Sequence, residues 1–166
     1  AQLARVEWGM HGAENRVAWQ SMSAGMTQDC SSGYGALLRT SAGSVFNEGA
    51  RSRNQFGNPD KFDGTSIYGT SFVTSQSTAD IGVGLSKGDA NNNFNDIDFA
   101  WMLSSDGTIG VFEQGVLKHE AGAYAVGDKF EVRVSTAGKI EYVHQNLVAY
   151  TSARAPAFPM CVDTAF

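Results

Sequence analysis

The feature of this sequence that most constrains its fold is a run of short, alternating segments between Asp96 and Ser152. In the first segment, apolar side chains occupy every second position: Ile97, Phe99, Trp101 and Leu103. A period of two is typical of a β-strand that buries one face. Because no segment in this run follows the 3.6-residue period of a helix, the run predicts an all-β protein.

Turn residues separate these segments. Asp106-Gly107 predicts a two-residue hairpin turn in which both central residues have positive φ. Further turns are predicted at Gln114-Gly115, Gly127-Asp128, Ala137-Gly138 and Gln145-Asn146. Strands separated by turn signals roughly every ten residues are typical of a β-sandwich or a barrel.

The rest of the chain has weaker patterns. It reads as opening strands at Leu3–Trp8 and Arg16–Gln20, central strands at Ser66–Thr74 and Ala79–Ser86, and a closing strand at Met160–Phe166. Residues 47–64 have no clean period and predict a long polar loop. We find no internal repeat and no linker, so residues 1–166 are expected to form a single domain.

The charge of the chain excludes some partners. The net charge is −5, and no cluster of Lys and Arg is present to neutralise phosphates. We therefore expect no nucleic-acid partner and no binding to an anionic membrane surface. No apolar run approaches the roughly 20 residues that a transmembrane helix needs, so membrane insertion is not expected either.

The chain has two cysteines, Cys30 and Cys161. We predict that they form a disulfide closing most of the chain, with two buried free thiols as the alternative. A disulfide would indicate a secreted, extracellular or lumenal protein in an oxidising compartment. Ala1 in place of an initiator methionine fits either a processed mature protein or a shortened chain.

Several motifs recur here in a familiar order. They are Gly84-Leu85-Ser86, Asp96–Ala100, Gly107–Gly115, Gly138–Tyr142 and Ala149–Ser152. This order resembles the concanavalin A-like (laminin-G-like, lectin-like) jelly-roll modules of extracellular and cell-surface proteins, over residues 66–166. The resemblance implies a two-sheet antiparallel jelly-roll sandwich, whose relatives often bind carbohydrate, sometimes through calcium, and often are non-catalytic modules. Such motifs specify packing and turns, so they indicate fold more than function.

One polar loop precedes the first clear hairpin. Residues 89–98 contain three aspartates and four asparagines, and carboxylate and amide oxygens are the ligands that calcium prefers. The metal candidates are Asp89, Asn91, Asp96 and Asp98. The alternative is a plain loop, because Asn and Asp are ordinary turn residues and the spacing does not match an EF-hand. Calcium is the one cofactor that the sequence suggests.

Candidate ligand contacts come from the same loop and from one strand. Asn92, Asn93 and Asn95 are candidates because loops of sandwiches often bind ligands. Tyr68 and Phe72 are out of phase with Ile67 and Val73, which predicts that they face a ligand or a covering loop. The three tryptophans, Trp8, Trp19 and Trp101, are in phase with aliphatic neighbours and are expected in the core.

No catalytic residue is predicted. The sequence has no carboxylate pair at the spacing that sandwich glycosidases use, no Gly-x-Ser-x-Gly elbow, and no spacing of its three histidines that suggests a metal pair or a triad. We therefore expect a non-catalytic, lectin-like module that binds carbohydrate or another surface ligand, with a glycan or a protein as partner. The alternative is a structural subunit of a larger assembly or extracellular layer with no small-molecule site.

Overall fold

The computed structural model describes residues 2–4, 17, 19–29, 36–40, 46, 48–56, 67–75, 77 and 79–166. These residues form fourteen β-strands and a short 3-10 turn at Phe94–Asp96. The strands are β1 Gln2–Ala4, β2 Trp19–Gln20, β3 Met26–Asp29, β4 Ala36–Arg39, β5 Gly49–Phe56, β6 Tyr68–Val73, β7 Ile81–Ser86, β8 Phe99–Leu103, β9 Thr108–Glu113, β10 Val116–Ala123, β11 Lys129–Val134, β12 Ile140–His144, β13 Leu147–Thr151 and β14 Met160–Ala165. The predicted all-β class is confirmed.

All strand pairs among the described residues are antiparallel. Seven strands form a large sheet in the order β10-β9-β8-β7-β14-β5-β2, four form a second sheet in the order β13-β12-β11-β6, and β1-β4-β3 form a small third sheet. Among the described residues, no helix has the length and apolar character that a membrane-spanning segment needs.

The core lies between the large sheet and the four-stranded sheet. Trp101 of β8 is fully buried and packs edge-on against Phe130 of β11 and Tyr142 of β12. Its indole N–H donates to the carbonyl oxygen of Glu131 at 3.0 Å, which satisfies the one polar atom of the ring. This packing of one sheet on another confirms the predicted sandwich.

The closing strand β14 lies in the middle of the large sheet, between β7 and β5. Its side chains alternate between the two faces, as the period of a strand requires. Met160 and Val162 join the core, whereas Cys161 and Asp163 point to the outer face and are nevertheless buried. The outer face is therefore covered as well.

The turn predictions hold for two of the hairpins. At Gln114-Gly115 the φ angles are 50° and 74°, and at Gln145-Asn146 they are 49° and 66°, as a two-residue hairpin turn requires. The predicted two-residue turn at Asp106-Gly107 is wrong. There the N–H of Ser104 donates to the carbonyl of Thr108, and the Asp106 carboxylate accepts from the Thr108 N–H, so the loop is longer. Aspartate favours such local bonds to its own backbone.

The predicted long loop at residues 47–64 is also wrong where the structure describes it. Residues Gly49–Phe56 form β5, which pairs with β14 and β2. Its inward positions carry the small side chains of Ala50 and Ser52, so the strand lacks the bulky apolar residues that reveal a period of two. Strands β3 and β4 were likewise not predicted, and residues 5–8 of the first predicted strand lie outside the described residues.

Candidate functional site

Small residues line the outer face of the large sheet. Gly82 pairs with Met102 and Ala165, and Gly84 pairs with Ala100 and Asp163. A loop at residues 87–98, here called the Asn/Asp loop, packs onto this face. A Cβ atom added to Gly82 would lie 3.4 Å from the Cβ of Phe94 and 3.5 Å from the Cδ1 of Ile97. The small residues therefore make room for the loop.

The loop uses its own polar side chains to hold its shape. One carboxylate oxygen of Asp96, Oδ2, accepts from the N–H groups of Ala90 and Asn91 at 2.7 and 2.9 Å. The amide oxygen of Asn91 accepts from the N–H of Asn93, and that of Asn93 accepts from the N–H of Asn95. Asn91 is thus a turn residue, and its oxygen is engaged within the loop.

Asp98 stabilises the ends of the loop through hydrogen bonds. Its Oδ2 accepts from the N–H of Lys87 at 2.9 Å, and its Oδ1 accepts from the side-chain N–H of Gln114 at 2.9 Å. Both oxygens are therefore occupied. Of the three aspartates among the predicted metal ligands, the structure brings Asp89 and Asp96 together, whereas Asp98 is not grouped with them.

A third carboxylate reaches the loop from β14. Oxygen atoms of Asp89, Asp96 and Asp163 all lie within 4.8 Å of one another, and we call this group the acidic cluster. Asp163 is only 3% exposed. Its Oδ2 and the Oδ1 of Asp96 are buried, with no hydrogen-bond partner in the part of the chain that the structure describes. Asp163 was not predicted as a site residue, and its one signal in the sequence is a charge at an alternate position of an apolar closing strand.

Burial dominates the electrostatics of the acidic cluster. It raises the pKa of Asp163 to about 8, and the negative charges of Asp89 and Asp96 act in the same direction, against weaker opposing hydrogen bonds from Ser86 and Thr164. Burial and the charge of Asp96 also raise the pKa of Asp89, while the charge of Arg51 lowers it. The cluster is therefore poorly compensated by positive charge.

Arg51 lies beside the acidic cluster, but its side chain bonds to a cysteine. Its Nε donates to the sulfur of Cys161 at 3.0 Å, and the Cys161 thiol donates to the carbonyl oxygen of Ser86 at 3.2 Å. Burial raises the pKa of the Cys161 thiol. Cys161 is a free thiol in this structure, so the predicted Cys30–Cys161 disulfide is not formed here. Cys30 itself lies outside the described residues.

The predicted ligand contact at Phe72 is wrong. Its ring is 2% exposed and stacks on Phe130 with a centroid distance of 5.2 Å inside the core. The prediction took Ile67 and Val73 as the inward set, and choosing the wrong set of alternate positions exchanges the two faces of a strand. Tyr68 is half-buried and packs against the same core, and its ligand role stays a prediction. Trp19 and Trp101 are core residues as expected, and Trp8 lies outside the described residues.

A groove of about 390 Å³ lies on β9 and β10, beside the Asn/Asp loop. Gly110 lines this groove, and the side chains around it leave no room for a Cβ atom, which would lie 3.0 Å from the Cε2 of Phe112 and 3.1 Å from the Cδ1 of Leu117. The groove is also lined by Ser104, Thr108 and Glu120. Phe112 packs edge-on against Phe94 of the loop at 5.8 Å, so the groove and the loop share a wall. The sequence analysis treated these residues only as strand positions.

The two packed antiparallel sheets define a concanavalin A-like β-sandwich. The chain is similar to the solved structure of the Emp47p carbohydrate recognition domain, with 10% identity and a TM-score of 0.50 over 99% of this chain and 87% of that chain. A sialidase structure matches with 12% identity and a TM-score of 0.44, over 99% of this chain and 15% of the sialidase chain. No family model and no curated protein matches the sequence.

Proposed function

We propose that this chain is a non-catalytic, lectin-like module that binds a glycan. The observation that carries the proposal is the groove over Gly110, with its volume of about 390 Å³. A groove of this size is within the usual range for small-ligand sites. The similarity in fold to a structure described as a carbohydrate recognition domain supports the same class of ligand.

The lining of the groove fits the chemistry of a sugar. A sugar ring has an apolar C–H face and an edge of hydroxyl groups. The ring of Phe112 and the side chain of Leu117 offer apolar surface to that face. The carboxylate of Glu120 can accept hydrogen bonds from hydroxyl groups, and the hydroxyls of Ser104 and Thr108 can donate or accept them. This mixture of apolar surface and a few polar groups is typical of ligand sites.

The Asn/Asp loop extends the proposed site. Asn95 lies at the β9–β10 turn, where its Oδ1 would be 2.4 Å from a Cβ added to Gly115. Within the loop, the side-chain oxygens of Asn91 and Asn93 accept hydrogen bonds from the backbone N–H groups of Asn93 and Asn95. We keep Asn92, Asn93 and Asn95 as proposed ligand contacts because the loop that carries them shares a wall with the groove.

A binding role fits the groove better than hydrolysis. A glycosidase needs two carboxyl groups placed on either side of the bond that it cleaves. Glu120 is the single carboxylate in the described lining of the groove. A glycan ligand would fit the predicted extracellular or lumenal location, although the free thiol of Cys161 removes the disulfide as an argument for it.

The test is to screen the purified chain on a glycan array and to compare two Gly→Ala variants. Gly110→Ala presses a methyl group against the side chains of Phe112 and Leu117, which line the groove, whereas a Cβ atom at Gly88 would meet nothing within 4 Å. We expect Gly110→Ala to weaken binding roughly tenfold, which corresponds to about 1.4 kcal/mol of binding free energy. Gly88→Ala should bind like the unmodified chain.

Two outcomes would count against the proposal. One is the absence of specific binding to any glycan, with calcium or with chelator. The other is specific binding that Gly110→Ala leaves unchanged, because the ligand would then lie outside the groove. Thermal unfolding of both variants checks that a loss of binding does not reflect a loss of fold.

A second candidate function is a subunit of a larger assembly. Apolar side chains are exposed on the edge strands of both sheets, with Val116 54% exposed on β10 and Leu147 74% exposed on β13. The rings of His119 and Tyr150 stack at 5.6 Å and bring these two edges side by side. Exposed edges with apolar residues favour contact with another chain.

Light scattering on the purified chain tests this second candidate. If the two edges form an interface, Leu147→Lys should lower the measured mass, whereas Val126→Lys should not. Val126 is a suitable control because it is 57% exposed but lies in the turn before β11. If the chain is a monomer at every concentration tested, the exposed apolar residues on the edge strands no longer support self-assembly.

A further inference from the structure

Asp89, Asp96 and Asp163 of the acidic cluster do not line the groove, and none of them is a proposed glycan contact. Asp89 and Asp96 come from the Asn/Asp loop, and Asp163 comes from the middle strand of the large sheet. The cluster is assembled only when the loop packs on the sheet. What needs explanation is why three carboxylates meet in a place where two of their oxygens are buried.

Buried carboxylate oxygens are costly unless a donor or a cation compensates them. The Oδ1 of Asp96 and the Oδ2 of Asp163 have no hydrogen-bond partner among the described residues. Asp163 is 3% exposed, so bulk water does not solvate it well. The Nε of Arg51 is committed to the sulfur of Cys161. Two buried acceptor atoms of the acidic cluster therefore lack a hydrogen-bond partner among the described residues.

We infer that Asp89, Asp96 and Asp163 bind a divalent cation of the calcium type. The donor atoms are all carboxylate oxygens, which hard cations prefer, whereas zinc prefers nitrogen and sulfur. Calcium–oxygen distances of about 2.3–2.6 Å put ligands on opposite sides of the ion about 5 Å apart. Oxygens that lie within 4.8 Å of one another fit around one such ion.

Such an ion would join the loop to the sheet. Two of its ligands belong to the loop and the third to β14, so a bound ion would link segments that otherwise meet through the packing of Phe94 and Ile97. Asp96 also accepts from two N–H groups of the loop through its other oxygen. The cation would thus fix the conformation of the whole Asn/Asp loop.

The inference does not depend on glycan binding, so its test uses calcium alone. The purified chain is stripped of metal with a chelator and titrated with calcium chloride by calorimetry at neutral pH, with magnesium chloride as a separate titration. We expect one saturable site for calcium per chain and weaker binding of magnesium, which demands near-ideal octahedral geometry. Thermal unfolding should occur at a higher temperature with calcium than with chelator.

Four variants locate the site. Asp163→Asn and Asp89→Asn keep the shape of the side chain and remove one charge, and each should weaken calcium binding roughly tenfold or more, since ligand charge tunes affinity. Asp106→Asn is the control, because Asp106 is exposed in the β8–β9 turn. Asp98→Asn separates the structural cluster from the four ligands predicted by sequence, and it should retain the site.

The result that overturns the inference is the absence of saturable calcium binding to the unmodified chain. The cluster would then be a set of carboxyl groups in which protons replace the cation. Calcium binding that survives Asp163→Asn and Asp89→Asn alike would also overturn it, because the ion would lie elsewhere. Neither result would change the glycan-array prediction, which has its own variant in the groove.

Discussion

The two faces of the large sheet are both covered, but by different chemistry. On the inner face, β14 presents Met160 and Val162 to a core of hydrocarbon and aromatic side chains. On the outer face, the same strand presents Cys161 and Asp163 to a polar loop. The apolar side chains that cover the inner face need no hydrogen-bond partner. On the outer face, buried carboxylate oxygens do need a hydrogen-bond partner or a cation. For that reason we place the cation there.

The largest effect is expected on the inner face. Trp101→Ala should lower the free energy of unfolding by about 3–5 kcal/mol, because the fully buried ring fills the space between the sheets and the cavity could not collapse completely. Urea denaturation followed by circular dichroism measures this. A loss below about 1 kcal/mol would mean that the two sheets do not pack through this residue.

The next effect concerns pH on the outer face. In the unfolded chain Asp163 should have a pKa near 3.9, whereas in the folded chain burial, with Asp89 and Asp96 nearby, raises its pKa to about 8. The stability that this carboxyl contributes is therefore present at low pH and lost as the pH rises through about 8. Without metal, the free energy of unfolding should fall by about 1–3 kcal/mol between about pH 5.5 and 8, at about 1.4 kcal/mol per unit of pKa.

Denaturation series at several pH values in chelator test this, and Asp163→Asn should flatten the curve. The charges facing Asp163 from the loop and from β5 are those of Asp89, Asp96 and Arg51, and none of them is altered in this variant. A curve that falls equally steeply in the variant would assign the pH dependence to other groups.

A smaller effect is expected where the loop packs on the sheet. Phe94→Ala should lower the free energy of unfolding by about 1–2 kcal/mol, less than Trp101→Ala, because the Phe94 ring is only half-buried. Hydrogen exchange should also become faster in residues 87–98 and remain slow in β8 and β11. If protection falls equally in β8 and β11, the Asn/Asp loop unfolds together with the core in one cooperative unit.

The smallest effect is expected at the thiol on the outer face. Cys161→Ser should change the free energy of unfolding by less than about 1 kcal/mol, since a hydroxyl can keep the hydrogen bonds with Arg51 and Ser86. In the unmodified chain, a thiol reagent should label Cys161 slowly when the protein is folded and quickly in denaturant. An unreduced mass lower by two hydrogens would instead show a disulfide.

Local pattern predicted the region from β8 to β13 well. Its strands pair with their sequence neighbours, so an alternating segment and a turn such as Gln145-Asn146 contain most of the information about each hairpin. The same reasoning failed for β5, whose partners β14 and β2 are distant in sequence and whose inward residues are small. It also failed for Phe72, because period two alone does not say which of the two sets faces inward.

The candidate sites divide in the same way. The all-β class, most of the hairpins and a loop rich in carboxylate and amide oxygens could be predicted from the amino-acid sequence, because these features depend on neighbouring residues. Only the folded chain shows that Asp163 joins Asp89 and Asp96 while Asp98 does not, and that Gly110 and Phe112 line a groove. Those facts depend on which strands lie side by side in the large sheet, and contacts between distant segments leave no periodic signal in a single sequence.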